Sequence, residues 1–303
     1  MPELPDVELY LHALRPRLTG QRLNRVRIAS PFLLRSFDPP LSAVEGGIVR
    51  SLSRLGKRIV WHFDHELFIV IHLMIAGRFR WKDAPAAAIP KKVGLAAFEF
   101  DSGTLLLTEA GAKRRASLHV VRGESSLHAI DRGGLEVLTS TRDAFAAAVT
   151  RENHTLKRAL TDPRLISGIG NAYSDEILHA AKLSPLQLTS RVSPDELARL
   201  HGAAIRTLTA WRDALIAESG DAFPEKVSAF HEGMAVHGRF GKPCPVCGTP
   251  VQRIRYASNE ANYCPTCQTG GKLLADRSLS RLLREDWPKS LDEMDQHLAE
   301  RRR

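Results

Sequence analysis

No cysteine occurs before position 244 of this 303-residue chain, and all four lie between 244 and 267. That confinement excludes a disulfide framework spread over the fold, and a cytoplasmic, reducing compartment is expected. Aromatic residues make up only 6% of the sequence, too few for the rows of stacking platforms that single-strand binders display. The most apolar stretch, LFIVIHLM at 67–74, falls far short of the ~20 residues a membrane helix needs, so no membrane partner is expected. The chain does not open with a basic region followed by an apolar run, and no secretory signal is expected. A G-x-S-x-G elbow, a Walker loop and internal repeats are all missing.

What the chain does have is positive charge. A net charge of +9 favours a polyanionic partner, with nucleic acid ahead of an anionic membrane surface. The length is enough for two domains with separate cores. Val7, Tyr10 or Leu11, Leu14 and Leu18 recur at helical spacing, predicting a helix over 6–19 that Pro16 should bend or end early. The runs 58–63 and 67–73, and 96–100 and 104–108, flank short turns and predict two hairpins. Consecutive hairpins argue for an antiparallel sandwich or barrel. After a polar connection over 122–140 the pattern turns helical: 143–150, 155–160, 173–182 and 193–218. Ser193, Pro194 and Glu196 form a capping-box start for the last of these, and Asp162-Pro163 predicts a short helix before SGIGNAYSDE. The tail from about 272 predicts one or two exposed helices.

Four stretches carry chemistry. CPVC at 244–247 and CPTC at 264–267, sixteen residues apart (248 to 263), have zinc-ribbon spacing. Cys244, Cys247, Cys264 and Cys267 would fill a tetrahedral Zn²⁺, so the metal is structural. Arg253 and Arg255, between the pairs, suit phosphate contact. The opening MPELPDVELY has two readings: a helix start with acidic residues at its positive end, or, once Met1 is removed, a secondary amine on Pro2 with Glu3 beside it as proton acceptor. In SGIGNAYSDE, Gly168 and Gly170 before a helix suit either a phosphate or a tight helix–helix turn with Asn171 as cap. Lys57 at a strand start reads, by itself, as a solvated lysine. His231-Glu232 with His237 lacks the spacing of a zinc-protease motif.

Taken in order, PELPDVE, Gly56-Lys57, HLMIAG (72–77), GIGNAYSDEIL (168–178) and CPVC…YCPTCQ resemble the formamidopyrimidine-DNA glycosylase and endonuclease VIII family, closest to the first branch. The resemblance spans residues 2 to about 268. It implies an α+β multidomain protein: an N-terminal antiparallel β-sandwich with its leading helix (1–121), a linker (122–140), a helix–two-turn–helix domain (141–240), a zinc-ribbon hairpin (241–268) and a charged extension (269–303). It also implies a monomeric bifunctional glycosylase and AP lyase acting on double-stranded DNA with a damaged base or abasic site. Pro2 would be the nucleophile, Glu3 the proton shuttle, and Lys57 and Asn171 the phosphate holders.

The chain departs from the family at the lesion side. Asn259 stands where an arginine usually tips the zinc hairpin. Ile75, after Met74, takes the place of the methionine that fills the hole left by the flipped base. EAGAKRRAS (109–117) keeps Arg114 and Arg115 but no phenylalanine, and 220–230 is short for a lesion-closing loop. The expectation is an active enzyme with altered lesion preference; the alternative is a weakly active or inactive damage-binding protein of the same fold.

Overall fold

The structure, a computed structural model, describes residues 1–111, 113–255, 260–275 and 288–300. The chain divides into two compact units: Met1–Gly133 with Thr209–Ala229, and Gly134–Leu208 with Phe230–Arg303.

The first unit opens with α1 (Leu4–Leu18). Eight strands follow: β1 (Leu23–Ile28), β2 (Ser51–Leu55), β3 (Arg58–His62), β4 (Leu67–His72), β5 (Gly77–Lys82), β6 (Gly94–Phe100), β7 (Gly103–Glu109) and β8 (Ser117–Arg122). They form two four-stranded sheets, ordered β1-β6-β7-β5 and β2-β3-β4-β8, and every pairing is antiparallel. This is the expected sandwich. Its core takes Ile59, Trp61, Ile69 and Ile71 from one sheet and Phe79, Phe98, Leu105 and Leu107 from the other. Both expected hairpins are present, as β3–β4 and β6–β7.

The unbroken apolar run of β4 has a simple cause. Ile69 and Ile71 face the sandwich interior, while Phe68 and Val70 join Val60 and Leu127 in a second, outer cluster. Leu127 lies on α2 (Glu124–Ile130), a short helix inside the stretch that reads as a polar connection. A strand covered on both faces loses the alternating pattern of a half-exposed one.

Helix α1 runs through Pro16 to Leu18 instead of ending early. Pro16 and His12, whose carbonyl loses its donor, are both exposed, so water can take that carbonyl. On the other side Leu11, Leu14 and Leu18 are buried and hold the last turn in place.

The second unit contains α3 (Arg142–Thr150), α4 (Leu156–Thr161), α5 (Asn171–Ala180) and the start of α6 (Pro194–Ser219), within which the division of units falls. The capping box is there: Glu196 N–H donates to Ser193 Oγ at 3.2 Å, and Ser193 N–H to Glu196 Oε2 at 2.8 Å. Asp162-Pro163 does not start a helix. Asp162 follows α4, and its carboxylate accepts from the Arg164 backbone N–H at 2.9 Å and from its guanidinium at 2.7 Å, which closes a turn. The zinc-ribbon region holds β9 (Gln252–Arg255) paired with β10 (Glu260–Tyr263), then α7 (Pro265–Thr269). In the tail, α8 (Leu291–Glu300) is helical as expected. Among the described residues no helix is long and apolar enough to cross a membrane.

Candidate active site and nucleic-acid interface

In the first unit the chain start is buried. Pro2, Glu3 and Asp6 are all enclosed, with Glu3 at 2% exposure. The backbone explains how this is tolerated. Glu3 caps α1, and its N–H donates to Asp6 Oδ2 at 2.7 Å, one half of a capping box. Both carboxylates therefore sit at the positive end of a helix. Burial pushes the Met1 amine below its usual pKa; Glu3 opposes this, Arg78 and Lys57 reinforce it, and Asp6 opposes it. Lys57 is thus near enough to the chain start to act on its amine.

Lys57 is held there by the turn that carries it. Gly56 adopts φ +61, the left-handed conformation the β2–β3 turn needs. Arg54 donates to the Gly56 carbonyl at 2.9 Å and to Glu8 of α1 at 3.0 Å, tying the turn to the helix. On α1, Tyr10 Oη accepts from the Phe79 N–H at 3.2 Å, which fastens the helix to β5.

The HLMIAG segment is a tight turn closed by Gly77 N–H donating to Leu73 O at 2.9 Å. A Cβ on Gly77 would stand 2.2 Å from that oxygen, so only glycine fits. Met74 takes φ +53 and is half-buried, while Ile75 is 61% exposed at the tip. His72 Nδ1 accepts from the Met74 N–H at 3.3 Å; burial, aided by Arg58, Lys57 and His119, lowers His72 to about 3. The imidazole is neutral, and its Nε2 carries the proton. Arg78, absent from the sequence expectations, donates to the carbonyls of Ile75 and Gly77 at 3.2 and 2.7 Å.

Arg114 and Arg115 are exposed on a loop gripped by buried Glu109, whose carboxylate accepts from the N–H groups of Arg115 and Ala116 at 2.9 and 3.0 Å. Arg114 also donates to Lys92 O at 2.6 Å. The segment 220–229 is anchored on α1: Arg17 donates to Asp221 O at 2.8 Å and lies 5.5 Å over the Phe223 ring.

In the second unit, Asn171 is the first residue of α5. Its Nδ2 donates to Glu260 O on the hairpin at 3.0 Å, and its own carbonyl accepts from Lys157 Nζ at 2.6 Å. Lys157 also meets Asp175 at 2.6 Å, and the other oxygen of Asp175 meets His237 Nδ1 at 2.8 Å. Glu176 accepts from the N–H groups of Ala235, Val236 and His237 at 2.7–2.9 Å. None of Lys157, Asp175, Glu176 and His237 was expected. The signal was the polar spacing within NAYSDEILH, but Lys157 lies 18 residues before Asp175 and the partners at 235–237 lie 59–62 residues on, where no local pattern reaches.

The four cysteines converge. Their sulfurs all lie within 4.8 Å of one another, with contacts of 3.4, 3.5 and 4.0 Å, and none forms a disulfide. A tetrahedron with Zn–S bonds of ~2.3 Å has edges of ~3.8 Å, so the set fits one structural Zn²⁺ with no open position. Arg253 is turned inward on this hairpin, 4.1 Å over the Phe240 ring and 3.5 Å from Glu260. Asn259 lies outside the described residues.

Family models match along the chain: the formamidopyrimidine-DNA glycosylase N-terminal domain over residues 1–115, its H2TH domain over 135–216, and a zinc finger found in FPG and IleRS over 241–270. A formamidopyrimidine-DNA glycosylase of Laribacter hongkongensis is 33% identical, covering 88% of this chain and all of the relative. The chain belongs to the formamidopyrimidine-DNA glycosylase family. A Mycobacterium tuberculosis protein described as an uncharacterized formamidopyrimidine-DNA glycosylase-like protein is 42% identical over 50% of this chain and 94% of its own length. The Lactococcus lactis glycosylase, solved non-covalently bound to DNA containing an AP site, superimposes with a TM-score of 0.77 at 22% identity, over 88% of this chain and 99% of that one. The zinc-finger match and the four-cysteine cluster give this family member one structural zinc.

The ribbon generates a prediction. Cys247 is exposed, and a hydrogen bond from Thr249 lowers its thiol to about 6, whereas burial raises Cys267 to about 11 and raises Cys264 further. After zinc is stripped under reducing conditions, iodoacetamide at pH 7 should alkylate Cys247 first, because the thiolate is the reacting form. Mass mapping that finds Cys264 or Cys267 modified at the same rate contradicts this.

Proposed function

We propose that this family member is a bifunctional DNA glycosylase and AP lyase whose nucleophile is the amine of Pro2, exposed once Met1 is removed. One observation carries the reading: a buried chain start with Glu3 against it and Lys57 and Arg78 acting on its amine. In the proposed reaction the damaged nucleotide is flipped from the duplex. The Pro2 nitrogen attacks C1′, the base leaves with the electrons of its glycosidic bond, and an iminium forms with the opened sugar. Glu3, at the same helix start, moves the protons. β-Elimination and then δ-elimination release the strand ends. Lys57 and Asn171 hold backbone phosphates, and the zinc hairpin supports the DNA-facing end of its unit without taking part in the chemistry. Arg114 and Arg115, both exposed, are assigned to the DNA as well.

The pH dependence follows from the setting of the amine. Around the Met1 amine, burial, with Arg78 and Lys57, outweighs the opposing Glu3 and Asp6 and disfavours the ammonium form. We infer that the Pro2 nitrogen, one residue on, takes over this setting and stays neutral to lower pH than a free terminus near ~8 would allow. Borohydride trapping on abasic-site DNA should therefore rise with pH through a midpoint below that value. Arg78→Ala, removing a cation that lowers the amine, should move the midpoint upward. A midpoint at or above the free value, unmoved by Arg78→Ala, would overturn the assignment.

We further propose that lesion preference is shifted from 8-oxoguanine. The wedge turn presents Ile75 at its tip with Met74 half-buried, Arg114 is bonded to Lys92 O, and the start of 220–230 is fixed to α1. Flipping costs a few kcal/mol, less where pairing is already lost. Weak wedge contacts thus penalise a paired lesion more than an abasic site. Single-turnover cleavage at a preformed abasic site should be much faster than excision of 8-oxoguanine opposite cytosine. Equal rates would sink the proposal.

A further inference from the structure

Helix α5 presents four polar side chains to the segment that carries the zinc hairpin. Asn171 meets Glu260 O, Asp175 meets His237, Glu176 takes three N–H groups, and His179 Nε2 stands 3.3 Å from Cys244 Sγ. The positions 171, 175, 176 and 179 lie on one helix face. The first and third contacts have backbone partners and the second pairs a carboxylate with an imidazole, and their roles are plain. The fourth has none in the chemistry described so far: a buried histidine, 6% exposed, whose ring nitrogen touches a zinc ligand.

His179 is not a fifth ligand, because among the described residues the mutually close ligand atoms are the four cysteine sulfurs. We propose that His179 is a positioning residue for the zinc site, donating its Nε2–H to the Cys244 thiolate and thereby locking α5 to the metal. With zinc bound, the Cys244 sulfur is a thiolate and can only accept, so the imidazole nitrogen facing it is the donor. The bond serves two ends. Four thiolates around one Zn²⁺ leave a net charge of −2, which a buried site must offset with N–H donors. Cys244 is also a buried ligand, at 2% exposure, and the one that α5 touches, whereas Cys247 is exposed and has Thr249 as its donor. His179 thus supplies Cys244 with a donor from the helix, as Cys267 N–H and Thr249 supply Cys264 and Cys247 from within the ribbon. The donor end of α5 is the same helix whose first residue, Asn171, faces the hairpin strand, so zinc occupancy and the placement of Asn171 are joined through one rigid element.

The test uses the full-length, zinc-loaded protein and a colorimetric chelator that reports zinc release. Outer contacts of this kind change metal affinity by about 10- to 100-fold. His179→Phe keeps the ring volume and removes the donor; His179→Gln keeps an N–H close to the Nε2 place. We expect zinc release from the phenylalanine variant to be at least ~10-fold faster than from the unmodified protein, and the glutamine variant to recover most of the difference. Circular dichroism of each loaded variant checks that the fold is retained. Release from the phenylalanine variant within twofold of the unmodified protein overturns the proposal. So does equal acceleration in both variants, which would make His179 a packing residue only. If the phenylalanine variant does not fold, the glutamine variant decides against His179→Ala: equal release rates overturn the proposal, and slower release from glutamine supports it.

Discussion

The bond from the Glu3 amide to Asp6, 2.7 Å long, closes the first turn of α1 with two carboxylates inside the protein. Chain ends ordinarily fray, and buried carboxylates cost several kcal/mol without compensation. Here the helix end supplies free N–H groups and its dipole, and Lys57 and Arg78 supply positive charge. Contacts from the sandwich hold α1 in place. Arg54 clamps the Lys57 turn to Glu8, Tyr10 fastens α1 to β5, and Trp61 and Phe98 pack edge to face at 4.9 Å in the core beneath. A nucleophile made from a chain terminus needs this immobility, because a freely moving amine would lose the orientation that makes attack effective.

The second unit solves a different problem with one helix. α5 offers its N-terminal residue to the hairpin and its buried face to the zinc segment. At its centre Asp175, 0% exposed, is shared by Lys157 and His237. Removing either Lys157 or Asp175 leaves the other as an uncompensated buried charge and costs about 3–5 kcal/mol. The arrangement explains why GIGN is followed at once by a strongly polar helix that is nonetheless almost wholly buried.

Local patterns were readable from the sequence. Turn tripeptides marked the hairpins, Ser193 to Glu196 marked the start of α6, and cysteine spacing marked the ribbon, since each depends on residues a few positions apart. What depended on the third dimension was not readable. Pro16 was expected to bend or end α1; the helix continues to Leu18, and the exposed side at Pro16 lets water satisfy the lost bond. Asp162-Pro163 resembled a helix start until Arg164 captured the carboxylate. The 122–140 stretch looked like a polar linker because α2 buries little beyond Leu127. His237 resembled a failed metal motif, and its true partner, Asp175, lies 62 residues away.

The central claim is that the amine of Pro2 does the chemistry. The direct measurement is to reduce the protein with borohydride on abasic-site DNA, digest both components, and locate the sugar remnant by mass spectrometry. The account predicts a single modified peptide that begins at Pro2, with Met1 gone. A remnant on Lys57, or an unmodified N-terminal peptide still carrying Met1 in trapped protein, would contradict it.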